Sequence, residues 1–156
     1  NHGAIKKHHH ELEGINSRMD GLQAAILSVK LKYIHQWTEL RIQHAEKYSD
    51  LLSGVPNIVI PVTNPDAKHV FHLYVLRTQQ RSEMQTYLKD NGISTGIHYP
   101  TPLPFLKAYE YLKHTPEDFP VAYANQSRIL SLPIFPEMSS SMVCFVANQI
   151  KTFLNF

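Results

Sequence analysis

Residues 70–99 read VFHLYVLRTQQRSEMQTYLKDNGISTGIHY and decide the fold class. Val70 to Thr78 is rich in β-branched and aromatic residues, which predicts a half-buried strand. The S-E-M-Q stretch that begins at Ser82 predicts a capping box at the start of a helix. Gly92 fits the left-handed position after the end of that helix, and Ser94 to Tyr99 predicts another strand.

Shorter elements of both kinds surround this stretch. Further strands are predicted at residues 58–60 and 129–132, and further helices at 106–112, at 115–128 and from one of the serines at 139–141 onward. Interleaved short strands and helices favour one small antiparallel or mixed sheet covered by helices. The sequence therefore predicts an α+β domain over residues 54–156.

The stretch from Asp20 to Leu52 has a helical period. Apolar residues recur along it every three or four positions, at Leu22, Ile26, Val29, Tyr33, Trp37 and Leu40. At about 1.5 Å per residue this helix would span roughly 45–50 Å, which exceeds the width of a small domain. We therefore expect residues 20–53 to form a long connecting helix that bends or bridges two domains, with its stripe incompletely buried. Residues 1–19 are expected to be a loop of a large domain encoded upstream.

Composition narrows the class of protein. Of the 156 residues, 43% are hydrophobic and 18% charged, and the formal net charge is +2. No basic stripe of the kind that binds nucleic acid is present, and no apolar run reaches the roughly 18 residues of a membrane span. The single Cys144 cannot form an internal disulfide, which favours the cytoplasm. We expect no metal site, because zinc-type spacings are missing and the His8-His9-His10 run is more typical of a solvated loop.

Two segments carry candidate functional residues. In Gly14 to Asp20, small and polar residues directly precede the long helix, so Asn16 or the serine after it could be the N-cap. In Gly96 to Pro100, an imidazole and a phenol, His98 and Tyr99, stand at a predicted strand end beside a rigid proline loop. Scaffolds often hold ligand groups at such places. On spacing alone, a purely structural role stays open for both segments.

Several segments together resemble the DegT/StrS-type nucleotide-sugar aminotransferases. They are Asn1-His2-Gly3, His9-His10-Glu11, GINSRMDGLQAAILSVKL at 14–31, FHLYVLR at 71–77, YLKDNGISTGIHYPTPLP at 87–104 and DFPVAYANQSRILSLPIFPEM at 118–138. Their order and spacing extend over nearly the whole chain. The resemblance is therefore far more specific than any single motif.

The resemblance implies a fold type I protein that binds pyridoxal 5′-phosphate, with a large domain upstream and a small C-terminal domain here. It places the lysine that binds the cofactor covalently before Asn1. We therefore expect no catalytic residue in this chain, and we do not give that role to Lys6, Lys7, Lys30 or Lys32. The implied reaction is amino transfer, usually from glutamate, to a keto group of a nucleotide-linked deoxysugar.

The resemblance also implies a homodimer with shared active sites. Asn16, in the N-S-R-M-D motif, would reach the phosphate of the cofactor bound by the partner subunit, and Arg18 would add positive charge nearby. His98 and Tyr99 match the H-Y-P segment of the family, which lines the substrate pocket. Their expected role is to hydrogen-bond the sugar or the nucleotide diphosphate, or to gate the entrance.

Two rival interpretations stay open. A sister enzyme of the same fold dehydrates the sugar; one group of these carries an iron–sulfur cluster, which needs about four Cys ligands and is disfavoured by one Cys. Another group replaces the cofactor lysine by histidine, at a position upstream of this sequence. A protein made of this domain alone would instead be a non-catalytic binding or dimerisation module. The sugar, the nucleotide and the choice between C3 and C4 amination are not specified by these residues.

Overall fold

The computed structural model describes residues 4–6, 9–10 and 18–156, which belong to two compact units, residues 1–36 and 37–156. In the first unit, strand β1 (Ala4–Lys6) pairs antiparallel with β2 (His9–His10), and helix α1 covers Gly21–Leu31. The expectation that residues 1–19 are only a loop is therefore wrong, since the stretch contains two short strands.

Helix α1 is capped by Asp20. The Asp20 carboxylate accepts hydrogen bonds from the backbone N–H of Leu22 at 2.8 Å and of Gln23 at 3.4 Å. The cap is thus neither Asn16 nor Ser17, both of which lie outside the described residues. Aspartate is favoured here because it satisfies unpaired donors and carries a negative charge at the positive end of the helix dipole.

The single long helix expected over residues 20–53 is two helices. Residues 32–33 form a turn between α1 and helix α2, Ile34–Leu52. The N–H of Tyr33 bonds to the carbonyl of Lys30 at 3.0 Å, an i→i−3 bond that ends the α-helical ladder of α1. The length of the segment predicts a bend in the helix, and the helix is interrupted at this turn.

The second unit is built on a three-stranded antiparallel sheet. Strands β3 (Ile58–Val59), β4 (Tyr74–Thr78) and β5 (Ile129–Leu132) lie in the order β3-β4-β5, which confirms the predicted central position of the strand within residues 70–78. That strand begins at Tyr74 rather than Val70. Phe71 has a φ of +45°, and its N–H bonds to Nδ1 of His69 at 3.0 Å, so the backbone is turned away from extended geometry before β4.

Helices cover one face of this sheet. Helix α3 spans Arg81–Asp90 and α5 spans Ser140–Phe153, and both pack with α2 around the buried side chains of β4 and β5. The core includes Tyr48, Leu52, Tyr74, Leu76, Met84, Leu88, Leu130, Val143 and Ile150, each fully or almost fully buried. The α+β class, with a small sheet covered by helices, is confirmed.

The predictions for the helix ends are confirmed at two positions and wrong at one. Gly92 has a φ of +75° after α3, and the N–H of buried Ile93 bonds to the carbonyl of Leu88 at 2.8 Å, as predicted. Ser139 caps α5 by accepting from the N–H of Met142 at 3.2 Å, also as predicted. The capping box at Ser82 is wrong, because α3 begins at Arg81 and Ser82 lies inside it.

Three side chains of α2 hold the segment that follows β5. Arg41 donates to the carbonyl of Ile134 at 2.9 Å, and the Tyr48 hydroxyl donates to the carbonyl of Pro133 at 3.0 Å. His44 Nε2 lies 3.3 Å from the carbonyl of Pro136. Burial raises the pKa of the Tyr48 phenol well above its usual value, so this hydroxyl remains a donor at all physiological pH.

The region between α3 and β5 is less regular than predicted. The helix predicted at residues 106–112 is a 3₁₀-helix, Lys107–Leu112. Another 3₁₀-helix, Leu103–Phe105, precedes it. The helix expected over 115–128 is reduced to α4, Pro120–Asn125. One reason is a turn closed by the Asp118 carboxylate, which accepts from the N–H of Thr115 at 2.8 Å and so competes with helical bonding.

Candidate functional site

The face of the sheet opposite the core carries the other set of strand side chains. Along β4 the side chains of Tyr74, Leu76 and Thr78 are buried, so the alternating positions Val75 and Arg77 belong to the opposite face. Their antiparallel partners on β5 are Ser131 and Ile129, and cross-strand partners share a face. This outer face therefore presents a mixture of apolar and polar groups.

The H-Y-P segment is attached to this sheet at its β5 edge. Gly96 and Ser131 exchange two backbone hydrogen bonds, of 3.0 Å from Gly96 N–H and 2.7 Å from Ser131 N–H. The strand expected over Ser94 to Tyr99 is thus reduced to one bridge at Gly96. The prolines that begin at Pro100 cannot donate backbone hydrogen bonds, which limits any continuation of this pairing.

The two predicted ligand residues lie side by side beyond this bridge. His98 Nδ1 lies 2.9 Å from the Ser131 hydroxyl oxygen. The rings of His98 and Tyr99 meet edge to face with centroids 5.5 Å apart, and the peptide bond between the two residues is cis. Tyr99 is 72% exposed, so its phenol is available to a ligand or to another part of a larger assembly.

An open groove of about 560 Å³ begins at Tyr99. Its lining is mainly apolar and comprises Tyr99, Pro100, Thr101, Pro102, Leu103, Leu106, Ala122, Asn125, Gln126 and Ile129. Two amides, Asn125 and Gln126, enter it from the end of α4. Apolar walls with a few convergent polar groups are the usual make-up of small-molecule sites.

The outer face of the sheet connects to this groove through Asn125. Arg77 Nη1 donates to the Asn125 side-chain oxygen at 3.4 Å, which leaves the two N–H donors of that amide for other partners.

At the start of the α4 region, the Thr115 backbone N–H bond holds the pKa of the Asp118 carboxyl below its usual value, with help from the Thr115 hydroxyl and His114. The bonds from Thr115 close this turn around the Asp118 carboxylate.

The predicted site residues fall in different units. His98 and Tyr99 belong to residues 37–156 and are brought together, but only Tyr99 lines the groove. Arg18 belongs to residues 1–36, where it is exposed, and Asn16 lies outside the described residues.

Sequence reasoning missed three polar groups near the H-Y-P segment. These are Asn125, Gln126 and Ser131. The two adjacent amides in A-N-Q-S-R at 124–128, directly before an apolar strand, were the available signal for Asn125 and Gln126, whereas Ser131 lies inside that strand and had no such signal.

No metal or membrane element is found in the described part of the chain. Within residues 4–6, 9–10 and 18–156, no three His, Cys, Asp or Glu side chains cluster closely enough to hold a metal ion. None of the helices in those ranges is both long and apolar enough to cross a bilayer.

Residues 1–151 match the model of the DegT/DnrJ/EryC1/StrS aminotransferase family. The chain belongs to that family, which confirms the resemblance seen in the sequence.

Curated relatives match nearly all of this chain. It is 42% identical over 151 residues to the erythromycin biosynthesis sensory transduction protein EryC1 of Saccharopolyspora erythraea, covering 97% of this chain and 41% of that protein. It is 36% identical over 151 residues to the dTDP-3-amino-3,4,6-trideoxy-α-D-glucose transaminase of Streptomyces venezuelae, covering 97% and 40%. The chain thus spans about two fifths of the length of these relatives.

Solved structures agree with the fold. The crystal structure of S. venezuelae DesV in complex with a ketimine intermediate matches with a TM-score of 0.90 and 35% identity, covering 100% of this chain and 42% of DesV. A DegT/DnrJ/EryC1/StrS aminotransferase from Brucella abortus matches with a TM-score of 0.87 and 28% identity, covering 99% and 41%. The fold described above is therefore that of part of a sugar aminotransferase.

Proposed function

We propose that this chain is the C-terminal part of a pyridoxal-phosphate-dependent aminotransferase acting on a nucleotide-linked sugar. The full protein transfers an amino group, from glutamate, to a keto group of a deoxysugar in antibiotic, O-antigen or polysaccharide biosynthesis. The observation that carries this proposal is the family match over residues 1–151. The names of relatives support it, since they include several dTDP-sugar transaminases and a spore coat polysaccharide biosynthesis protein.

A cofactor phosphate needs hydrogen-bond donors or positive charge in the residues that hold it. The Asp20 carboxylate already occupies N–H groups at the start of α1, so that helix end is not free for an anion. Arg18 stands two residues before the Asp20 cap, and its exposed guanidinium presents five N–H groups suited to phosphate oxygens. Arg18 therefore fits a phosphate, and we propose that Arg18 and Asn16 hold the phosphate of the cofactor bound to the partner subunit of a homodimer.

The cofactor, when bound, accepts electron density from the substrate carbon and carries the amino group between the two substrates. The residues of this chain bind and orient the sugar nucleotide. Tyr99 supplies an aromatic face and a hydroxyl at the mouth of the groove, while Asn125 and Gln126 offer amides to sugar hydroxyls or a nucleotide base. His98, held at the sheet, donates to an oxygen of the same ligand.

The lysine that binds the cofactor lies outside residues 1–156 in this proposal, and the chain by itself is inactive. The full protein works in the cytoplasm, where Cys144, the one cysteine of this chain, stays reduced. Its substrates are small molecules, and neither nucleic acid nor a membrane takes part.

Borohydride reduction tests this assignment. In the full-length holoprotein, reduction followed by peptide mapping should fix the cofactor to one lysine outside residues 1–156. The same treatment of the 156-residue chain with added cofactor should label none of its lysines. Labelling of a lysine within this chain would contradict the proposal, and a full-length protein that binds cofactor without any reducible bond would indicate the histidine-containing dehydratase instead.

A further inference from the structure

Ser131 lies directly beneath the residue that the proposed function places on the substrate. We propose that Ser131 is a positioning residue, whose buried hydroxyl fixes the orientation and the neutral tautomer of His98 for binding the sugar nucleotide. This inference rests on the proposed function, because His98 is the group that contacts the ligand. Its geometric part, the bond between the two side chains, lies wholly within residues 37–156.

The hydroxyl of Ser131 has a single suitable acceptor among the described residues. Ser131 is 3% exposed, and its backbone N–H and carbonyl are both bonded to Gly96. Its hydroxyl oxygen lies 2.9 Å from Nδ1 of His98. A buried O–H without an acceptor costs more free energy than an unused lone pair, so the hydroxyl donates and Nδ1 accepts.

This direction of donation determines the tautomer of His98. A neutral imidazole carries one proton, and an accepting Nδ1 requires that the proton be on Nε2. Because His98 is exposed, its Nε2–H is available to an acceptor outside the unit. The oxygens of a sugar hydroxyl or a diphosphate are acceptors of this kind, so Ser131 prepares His98 as a donor.

Gly96 provides the second constraint on the imidazole. A Cβ atom added at Gly96 would lie 2.6 Å from Cε1 and 3.2 Å from Nδ1 of His98. The ring therefore occupies the space that any larger residue would fill, directly over the Gly96 backbone. Its orientation depends on the missing side chain at Gly96 as well as on the hydroxyl of Ser131.

Four variants of the full-length protein separate this role from general stability. Ser131→Ala removes the hydroxyl, Ser131→Thr retains it, and Gly96→Ala displaces the ring without altering Ser131. Thr78→Val is the matched control, because Thr78 is also a buried strand hydroxyl, 3% exposed, but its side chain belongs to the opposite face of the sheet.

Crystal structures of these variants test the geometric part without any substrate. We expect the imidazole of His98 to turn away from its present position in Ser131→Ala and Gly96→Ala, and to stay in Ser131→Thr and Thr78→Val. An unchanged imidazole in well-folded Ser131→Ala would overturn the inference. If Ser131→Ala does not fold, nitrogen NMR of the wild-type imidazole decides, and a neutral ring with its proton on Nδ1 would overturn the inference equally.

Kinetics with a dTDP-linked 3-ketosugar and L-glutamate test the consequence. Losing one net hydrogen bond corresponds to roughly a five-fold rise in KM for the sugar in Ser131→Ala, with kcat nearly unchanged. Ser131→Thr should restore KM, and the effect should vanish when His98 is already alanine. A persistent Ser131→Ala effect in the His98→Ala protein would contradict action through His98. A normal KM in His98→Ala alone would refute the substrate role in the proposed function, while the crystal structures still decide the positioning.

Discussion

Helices α1 and α5 are both rich in apolar residues, but of the two only α5 has buried side chains in the part of the chain that the structure describes. In α5 the side chains of Val143, Val146, Ala147 and Ile150 are buried in the core. In α1 no residue is buried, and Leu22 is 72% exposed. Apolar periodicity thus predicts a helix and the side that needs cover, but it does not identify the surface that covers it.

The same contrast indicates which of the two units contributes mainly to stability and which contributes mainly to binding. The unit of residues 37–156 has its own hydrophobic core. The unit of residues 1–36 contains the N-S-R-M-D motif followed by an uncovered helix. We expect substitutions in residues 37–156 to change the free energy of unfolding. We expect substitutions in residues 1–36 to change what the full protein binds.

The largest effect is expected from paired isoleucine substitutions. Ile150→Ala leaves a cavity in a fully buried site and should lower the free energy of unfolding by about 2–5 kcal/mol. Ile26→Ala, at a position 53% exposed, should change it by less than about 0.5 kcal/mol in the 156-residue chain. Urea denaturation of both variants measures the difference. Equal losses would show that α1 is packed as α5 is, and a greater cost of Ile26→Ala in the full-length protein would show that its stripe is covered there.

A smaller effect, of a different kind, is expected at Asn16. In the full-length enzyme, Asn16→Ala removes a hydrogen bond to a charged phosphate, worth about 1.5–3 kcal/mol, so cofactor affinity should fall roughly ten- to a hundred-fold. Since α1 is capped by Asp20, the melting temperature without cofactor should be almost unchanged. Cofactor dissociation and thermal unfolding of the same variant test both statements.

Mixed dimers test whether Asn16 acts across the subunit interface. One subunit lacks the cofactor lysine and the other lacks Asn16. If Asn16 acts in trans, one site carries both defects and the other carries none, so about half of the activity survives. Activity well below half would mean that Asn16 serves its own subunit, and it would refute the assignment to the partner.

The smallest effect is expected from Asp118→Asn and depends on pH. Bonds from Thr115 lower the pKa of this carboxyl in the folded state. The resulting stabilisation is present above the unfolded pKa of about 3.9 and is lost as pH falls through the lower folded value. The melting temperature of Asp118→Asn should therefore lie slightly below that of the wild type at pH 7 and converge with it in acid. Glu117→Gln, at the neighbouring exposed carboxylate, is the control, and a difference that grows on acidification would contradict the sign.

The sequence predicted best what depends on local chemistry and burial. The central strand, Gly92 after α3, the Ser139 cap and strand β5 all follow from short patterns that the structure confirms. The sequence did not predict the ends of strands and helices where a side chain forms a hydrogen bond that competes with regular backbone pairing. Examples are the late start of β4, where His69 binds the backbone of Phe71, and the short α4, where Asp118 closes a turn.

The sequence predicted His98 and Tyr99 as residues of the candidate site, but not the contacts that hold them in place. His98 and Tyr99 were visible because they stand beside a proline-rich loop. The contact between His98 and Ser131 joins residues 33 positions apart in the chain, and no local pattern encodes it. Asn125 and Gln126 line the groove at the end of α4, a boundary that the sequence did not predict.

Transfer of labelled nitrogen tests the central proposal most directly. The full-length protein, supplied with pyridoxal phosphate, [¹⁵N]glutamate and a dTDP-linked 3-ketosugar or a UDP-linked equivalent, should yield 2-oxoglutarate and an aminosugar nucleotide that carries ¹⁵N, detected by mass spectrometry. We expect one label per sugar and none when glutamate is omitted. A sugar product that has lost water without gaining nitrogen, or no conversion of glutamate with any nucleotide-linked ketosugar, would contradict it.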